Sequence, residues 1–185
     1  MDINAVIRKY FPYGSESYNI YYAHVTAVAD TVAKICEHNK HLKINKLFAI
    51  NASLLHDIGI CMVNAPQIHC TGFAPYIQHG IMGRIILEDE NINEYSSVCE
   101  RHIGTGLYKE DIINGKLPLP IKDMYPVSLE EKVVAYADKF FSKSKHNLSK
   151  PKEINLIREE IAKHGKKHID TFDNWCNLFG YEYLY

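Results

Sequence analysis

The sequence predicts an all-α fold, and three observations predict it. Apolar residues recur at helical spacing through most of the chain, residues able to cap helices stand just ahead of those runs, and no alternating apolar/polar run competes as a strand. At 185 residues, 46% hydrophobic and 23% charged, the chain has the size and composition of one folded globular unit. No internal repeat, low-complexity tract or linker divides it, so residues 1–185 are expected to form a single domain.

The first clear helix covers Tyr21 to Glu37, where His24, Val28, Thr31, Val32 and Ile35 fall on one face. Asn45 can cap a second, KLFAINASLLHD, with Leu47, Ile50 and Leu54 inward, His56 and Asp57 in its last turn and Gly59 marking its end. Pro75 can start a third carrying His79, Ile86 and Leu87, and Asn93 can cap a fourth, EYSSVCERH, that stops near Gly104. Ser128 and Glu131 form the capping box of a fifth, SLEEKVVAYADKFFSK, with Leu129, Val133, Tyr136, Ala137 and Phe140 as its apolar stripe and Asp138 at the border. Pro151 opens a helix to about His164, and Gly165 and Gly180 bracket a last one with Trp175 and Phe179. Two stretches resist a helical reading. They are 60–74, and 103–127, where Gly104, Gly106, Gly115, Pro118, Pro120 and Pro126 intervene; long loops of this kind often carry function.

Composition excludes several classes. With 21 Lys plus Arg against 22 Asp plus Glu the net charge is -1, which supplies no global field for a nucleic-acid polymer or an anionic membrane. Five cysteines without a C-x-x-C suggest reduced thiols rather than a disulfide framework or zinc knuckle. No signal-peptide pattern opens the chain and no segment nears ~18 consecutive apolar residues, so a cytoplasmic location is expected.

The chemistry lies in where His24, His56, Asp57, His79, His102 and Asp138 fall, one or two to a helix, so that an antiparallel bundle can bring them to one end. Four imidazoles and two carboxylates suit Fe, Mn, Zn, Co or Mg better than a thiophilic ion. Six donors are many for one ion, and a carboxylate can bridge, which points to two divalent ions roughly 3.5–4 Å apart, as in phosphoryl hydrolysis. Asp138 beside Val134 and Phe141 would cost several kcal/mol if buried without a partner, and a cation supplies one.

These residues carry a resemblance. LLHDIGI, with AHV upstream and YADK downstream, resembles the H…HD…D signature of HD-domain metal-dependent phosphohydrolases, over about Tyr21 to Ser142. QHG at 78–80 and RHIGTG at 101–106 resemble the extended pattern of the two-metal members, which include symmetrical diadenosine tetraphosphatases and cyclic-dinucleotide phosphodiesterases, and H-I-G-x-G is similar to that of short stand-alone HD proteins. The resemblance implies an HD-domain helical bundle with its core at about 21–142 and C-terminal helices at 151–179 packed on it. It also implies His24, His56 and Asp138 around a first ion, His79 and His102 around a second, and Asp57 between them. Ile60 replaces the Lys that follows HDIG in the cyclic-dinucleotide enzymes, no GYP follows, and Arg101 precedes His102 where the tetraphosphatases have a second histidine, with the threonine displaced to Thr105.

The expected activity is hydrolysis of a small phosphorylated substrate, a nucleotide or dinucleotide, by a hydroxide between the two ions. Asp57, His56 and Lys139 are the expected catalytic residues; Thr105, Lys139, Arg84, Arg101, Lys109 and Lys116 are the candidates for meeting substrate phosphate. A homodimer is left open. The competing classes are an HD-type di-iron oxygenase, with the same ligand set, and a metal- or nucleotide-binding sensor without turnover. Outside the constellation, His38, His41, His146, His164 and His168 read as solvated surface, Cys61, His69 and Cys70 as lid or packing residues before a soft-metal site, and 145–152 as an exposed turn.

Overall fold

The computed structural model describes residues 2–143 and 150–185. Its first helix, α1 (Ile3–Tyr10), precedes any the sequence predicts: Asp2 accepts from the Ala5 amide, and Ile3, Ile7 and Phe11 bury one face at four-residue spacing. α2 (Glu16–His38) starts ahead of the expected Tyr21 because Ser15 caps it through the Tyr18 amide. Its buried face is the predicted one, with His24, Val28, Thr31, Val32 and Ile35 inside.

Asn45 caps α3 (Lys46–Leu55) through the Phe48 amide. The predicted face is rotated: Leu47 is 70% exposed, Ile50 and Leu54 are half-buried, and Ala49, Ala52, Ser53 and Leu55 turn inward. Small residues on the inner face let α3 approach α2 closely, and that outweighs the burial of three large side chains. A 3₁₀ turn, Ile58–Met62, leads into the first unassigned stretch, where β1 (Asn64–Ala65) and β2 (Cys70–Thr71) pair antiparallel, Asn64 with Thr71 and Ala65 with Cys70. This two-stranded sheet is the sole one among the described residues.

After Pro75 a 3₁₀ turn runs directly into α4 (His79–Asp89), and after Ile92 another, Asn93–Tyr95, runs into α5 (Ser96–Arg101). Glycines fix how these pieces meet. A Cβ on Gly59 would lie 2.1 Å from the His79 carbonyl oxygen and 2.2 Å from the Gly83 nitrogen, and one on Gly80 would lie 2.6 Å from the Cys99 oxygen. The HDIG turn, α4 and α5 therefore pack backbone against backbone.

The second unassigned stretch contains α6 (Lys109–Asn114), placed between Gly106 and Gly115 and capped by Asp111, whose carboxylate accepts from the Tyr108 amide. α7 (Leu129–Asp138) has the predicted Ser128/Glu131 capping box. α8 (Ile154–Ala162) and α9 (Lys166–Phe179) close the described chain, and α9 sets Phe172, Trp175 and Phe179 around Tyr136 of α7, ring centroids 5.6, 6.5 and 5.4 Å apart. Buried residues from every numbered helix except α6 join one hydrophobic cluster, and Ile112, Leu119 and Met124 form a smaller one around α6. No described helix is long and apolar enough to cross a membrane. The predicted exposed turn lies mostly outside the described residues, as does His146.

Candidate metal centre

Five of the six predicted residues stand at or near a helix end, His24 is the exception, and all six are buried. His56 follows the last residue of α3, with Asp57 next; His79 opens α4, His102 follows α5, Asp138 ends α7, and His24 projects from mid-α2. The last turn of a helix leaves carbonyls without intrahelical donors, and His56 and His102 use them, whereas His79 uses a carbonyl of the 3₁₀ turn that precedes α4. His56 Nδ1 lies 2.6 Å from the Ser53 oxygen, His102 Nδ1 2.7 Å from the Cys99 oxygen, and His79 Nδ1 2.7 Å from the Tyr76 oxygen. A carbonyl only accepts, so Nδ1 carries the proton in all three and each Nε2 presents a lone pair to the centre.

The six converge as two groups that share Asp57, and each group could hold a metal ion. In the first, His24 Nε2 lies 3.2 Å from Asp57 Oδ2 and 3.1 Å from Asp138 Oδ1, and His56 Nε2 lies 3.3 and 3.4 Å from the same two atoms. In the second, His79 and His102 Nε2 lie 3.4 and 3.3 Å from Asp57 Oδ1. Asp57 thus turns one oxygen to each group. His24 Nε2, His56 Nε2 and Asp57 Oδ1 are buried without a hydrogen-bond partner among the described residues. Buried polar atoms in that condition are costly, and a shared cation would satisfy them together.

The electrostatics agree. Burial pushes the carboxyl of Asp57 up, but Lys143 and His56 outweigh it and hold it well below the usual carboxylate range. For Asp138 burial is likewise outweighed, by Lys139 and Lys143. Burial opposes the protonation of His56, yet Asp57 and Asp138 raise it to about 9, whereas burial takes His79 down to about 3 and also lowers His102. Anionic carboxylates beside neutral His79 and His102 are the protonation states that metal ligation needs, whereas a metal ion would have to displace the proton that Asp57 and Asp138 favour on His56.

Lys139 Nζ lies 2.8 Å from Asp138 Oδ2, so it stands beside the cluster as the sequence suggests. Lys143, which sequence reasoning missed, reaches further in: its Nζ lies 2.6 Å from Asp57 Oδ2. The sequence makes it the last residue of the fifth predicted helix, where a lysine reads as solvated, but α7 stops at Asp138 and the chain after it turns Lys143 inward. Tyr76 is a second residue missed, its ring 4.9 Å from that of His79. The other candidates stand apart from the cluster. Arg84 is held by Glu88 and Glu100, at 2.7 and 3.0 Å, and Arg101 by Glu131 at 3.0 Å. Lys109 and Lys116 are exposed. Thr105 is buried with Oγ1 2.9 Å from His168 Nδ1, and His168 is correspondingly buried rather than solvated. Cys61, His69 and Cys70 form no metal-holding group among the described residues, and His69 faces Glu16.

With the cluster defined, its ancestry can be read from residues 21–142, which match the model of the HD domain. The chain belongs to the HD domain family. An uncharacterised protein of Methanocaldococcus jannaschii is 34% identical over 132 residues, covering 70% of this chain and 68% of that one. A tRNA (cytidine(56)-2'-O)-methyltransferase of Thermoplasma volcanium is 33% identical over 136 residues, 73% of this chain and 35% of the enzyme. One of the same name from Picrophilus torridus is 40% identical over 91 residues, 49% of this chain and 23% of the enzyme. The HD domain thus corresponds to about a third or less of those methyltransferases. No solved structure matches. HD domain proteins are generally hydrolases that bind divalent metals, and all six residues of the cluster lie within the matched span.

Proposed function

We propose that this HD domain is a phosphohydrolase that holds two divalent ions and cleaves a small phosphorylated substrate, a nucleotide or dinucleotide. The observation that carries the reading is the division of Asp57 between two histidine groups, Oδ2 towards His24 and His56 and Oδ1 towards His79 and His102. A pair of divalent ions there would lower the pKa of water and neutralise phosphate oxygens. Everything else falls to the chain. His24, His56 and Asp138 hold one side, His79 and His102 the other, and the carbonyls of Ser53, Tyr76 and Cys99 fix three rings in the ligating tautomer. Lys139 and Lys143 are the cations able to meet phosphate charge beyond the metals. Burial keeps bulk water from competing with the bound phosphate.

The nucleotide reading takes support from two relatives that match this chain over 35% and 23% of their own length and are named as tRNA methyltransferases. Metal analysis of freshly isolated protein, followed by phosphate release across nucleotides, dinucleoside polyphosphates and sugar phosphates with Mn or Zn, tests the proposal. Turnover by these forms, the redox-inert zinc form included, is expected. Substrate-dependent oxygen consumption by an iron form, with no phosphate released, would instead assign the centre to the di-iron oxygenases, and binding without cleavage by any metal form would make it a sensor.

A further inference from the structure

A cavity of about 570 Å³ lies between the loop after His102, α6 and the α8–α9 hairpin, within the size of small-ligand sites. It shares a wall with the second histidine pair: Ile103 is bonded to His102 and Ile77 precedes His79 by two residues, and both line it. Ile77, Ile103, Leu107, Leu117 and Ile161 make its surfaces apolar. Its polar groups are Asp111, Asn114 and His164, with the Thr105–His168 pair. Asp111 is held in place, since its Oδ2 accepts from the Tyr108 amide at 2.8 Å and lies 3.3 Å from His168 Nε2. Ile161, His164 and His168 lie beyond the HD match, so the outer wall belongs to this chain's C-terminal helices.

We infer that this cavity is a nucleobase pocket. It rests on the phosphohydrolase reading for the position of the phosphate, at the adjoining metal pair. A flat ring needs apolar walls on its faces and acceptors for the N–H groups on its edge, and a positioned carboxylate beside an amide supplies the acceptors. An acyl chain would offer no donor to Asp111, Asn114 or His164, and an anionic second group would meet the charge of Asp111. One substrate thus spans both sites, phosphate at the histidines and base between α6 and α9, with the Gly104–Gly106 backbone passing between them.

The probes are guanosine, adenosine, cytidine and uridine, titrated against the amide resonances of zinc-loaded protein, with ribose 5-phosphate as the control that lacks a base. At least one nucleoside should shift Gly104, Gly106 and Gly115. Its affinity should fall at least about tenfold in Asp111→Asn and in Asn114→Trp, whose exposed rim position admits the ring without disturbing the core, while ribose 5-phosphate binds all three proteins alike. No shift from any nucleoside, or unchanged affinity in Asn114→Trp, overturns the pocket even where phosphate release is robust. Shifts that disappear in the variants support the pocket even where no phosphate is released, a result that would count against the hydrolase reading alone.

Discussion

His79 Nε2 and His102 Nε2 lie 3.1 Å apart, and both face Asp57 Oδ1. Because each ring spends its Nδ1 proton on a backbone carbonyl, two lone pairs point at one another across this gap, an arrangement that repels unless a cation lies between them. The expected outcome is asymmetric metal loss. Asp57→Ala should abolish turnover and empty both sites, whereas His79→Ala should retain about half the metal, since the first group keeps all its donors. Elemental analysis of the two variants checks it, and full metal content in Asp57→Ala would remove the bridging role.

Stability should depend on pH in opposite ways with and without metal. The folded-state value of His56, about 9, lies above its ordinary 6.5. A raised value stabilises fully below 6.5, and that contribution is lost as pH climbs through 9. A chelator-treated preparation should therefore lose melting temperature over this window. Metal must displace the same proton, so affinity for Mn or Zn should rise with pH over the same range, and at ~100 Kd the ion should add about 2.7 kcal/mol to stability. Calorimetric melts of both preparations from pH 6 to 9 test this, and parallel curves would refute it.

Lys143 offers a contrast between binding metal and using it. Its ammonium lies against the same Asp57 oxygen that the first ion needs, so Lys143→Met should tighten metal uptake by removing a competitor. If the displaced ammonium then meets substrate phosphate, losing that contact should lower kcat/KM by about 10- to 100-fold, the worth of one charge-assisted hydrogen bond. Unchanged metal affinity together with unchanged kcat/KM would make Lys143 an ordinary solvated lysine.

The cluster is readable from the sequence because helical periodicity places His24 and Asp138 on or beside buried faces, while Gly59 and Gly104 mark chain turns just after His56, Asp57 and His102. What escaped depends on partners distant in the chain. His168 reads as a surface residue of α9 until Thr105, 63 residues earlier, is folded against it. Lys143 reads as a solvated helix end until Asp57 is beside it. α1 has only eight residues, little more than two turns over which a helical period can repeat, and α6 is short and enclosed by Gly106, Gly115 and prolines that forbid only its extension. The rotated face of α3 has another cause, since periodicity counts large apolar residues whereas close helix packing selected Ala49, Ala52 and Ser53.

Gly59, which sequence reasoning takes merely as the end of a helix, should prove to be what positions the second histidine group. Its φ is not the constraint. A Cβ there would meet the His79 oxygen at 2.1 Å, the Gly83 nitrogen at 2.2 Å and the Gly83 Cα at 2.9 Å, all backbone atoms that no rotamer change can move aside. The start of α4 must therefore shift by most of a van der Waals contact, and His79 is its first residue. Ligand geometry tolerates displacement of only about 0.5 Å, so Gly59→Ala should lose the second ion while His24, His56, Asp57 and Asp138 keep the first. Overpacking of this kind costs about 1–3 kcal/mol or more in stability. Gly14→Ala is the matched control: a Cβ at Gly14 meets nothing within 4 Å and only its φ of +79 is strained, so about 1 kcal/mol should be lost with both ions retained. Metal stoichiometry and melting temperature of the two variants decide the matter, and Gly59→Ala with two ions and an unshifted melt would show that the HDIG glycine serves some purpose other than the placement of His79.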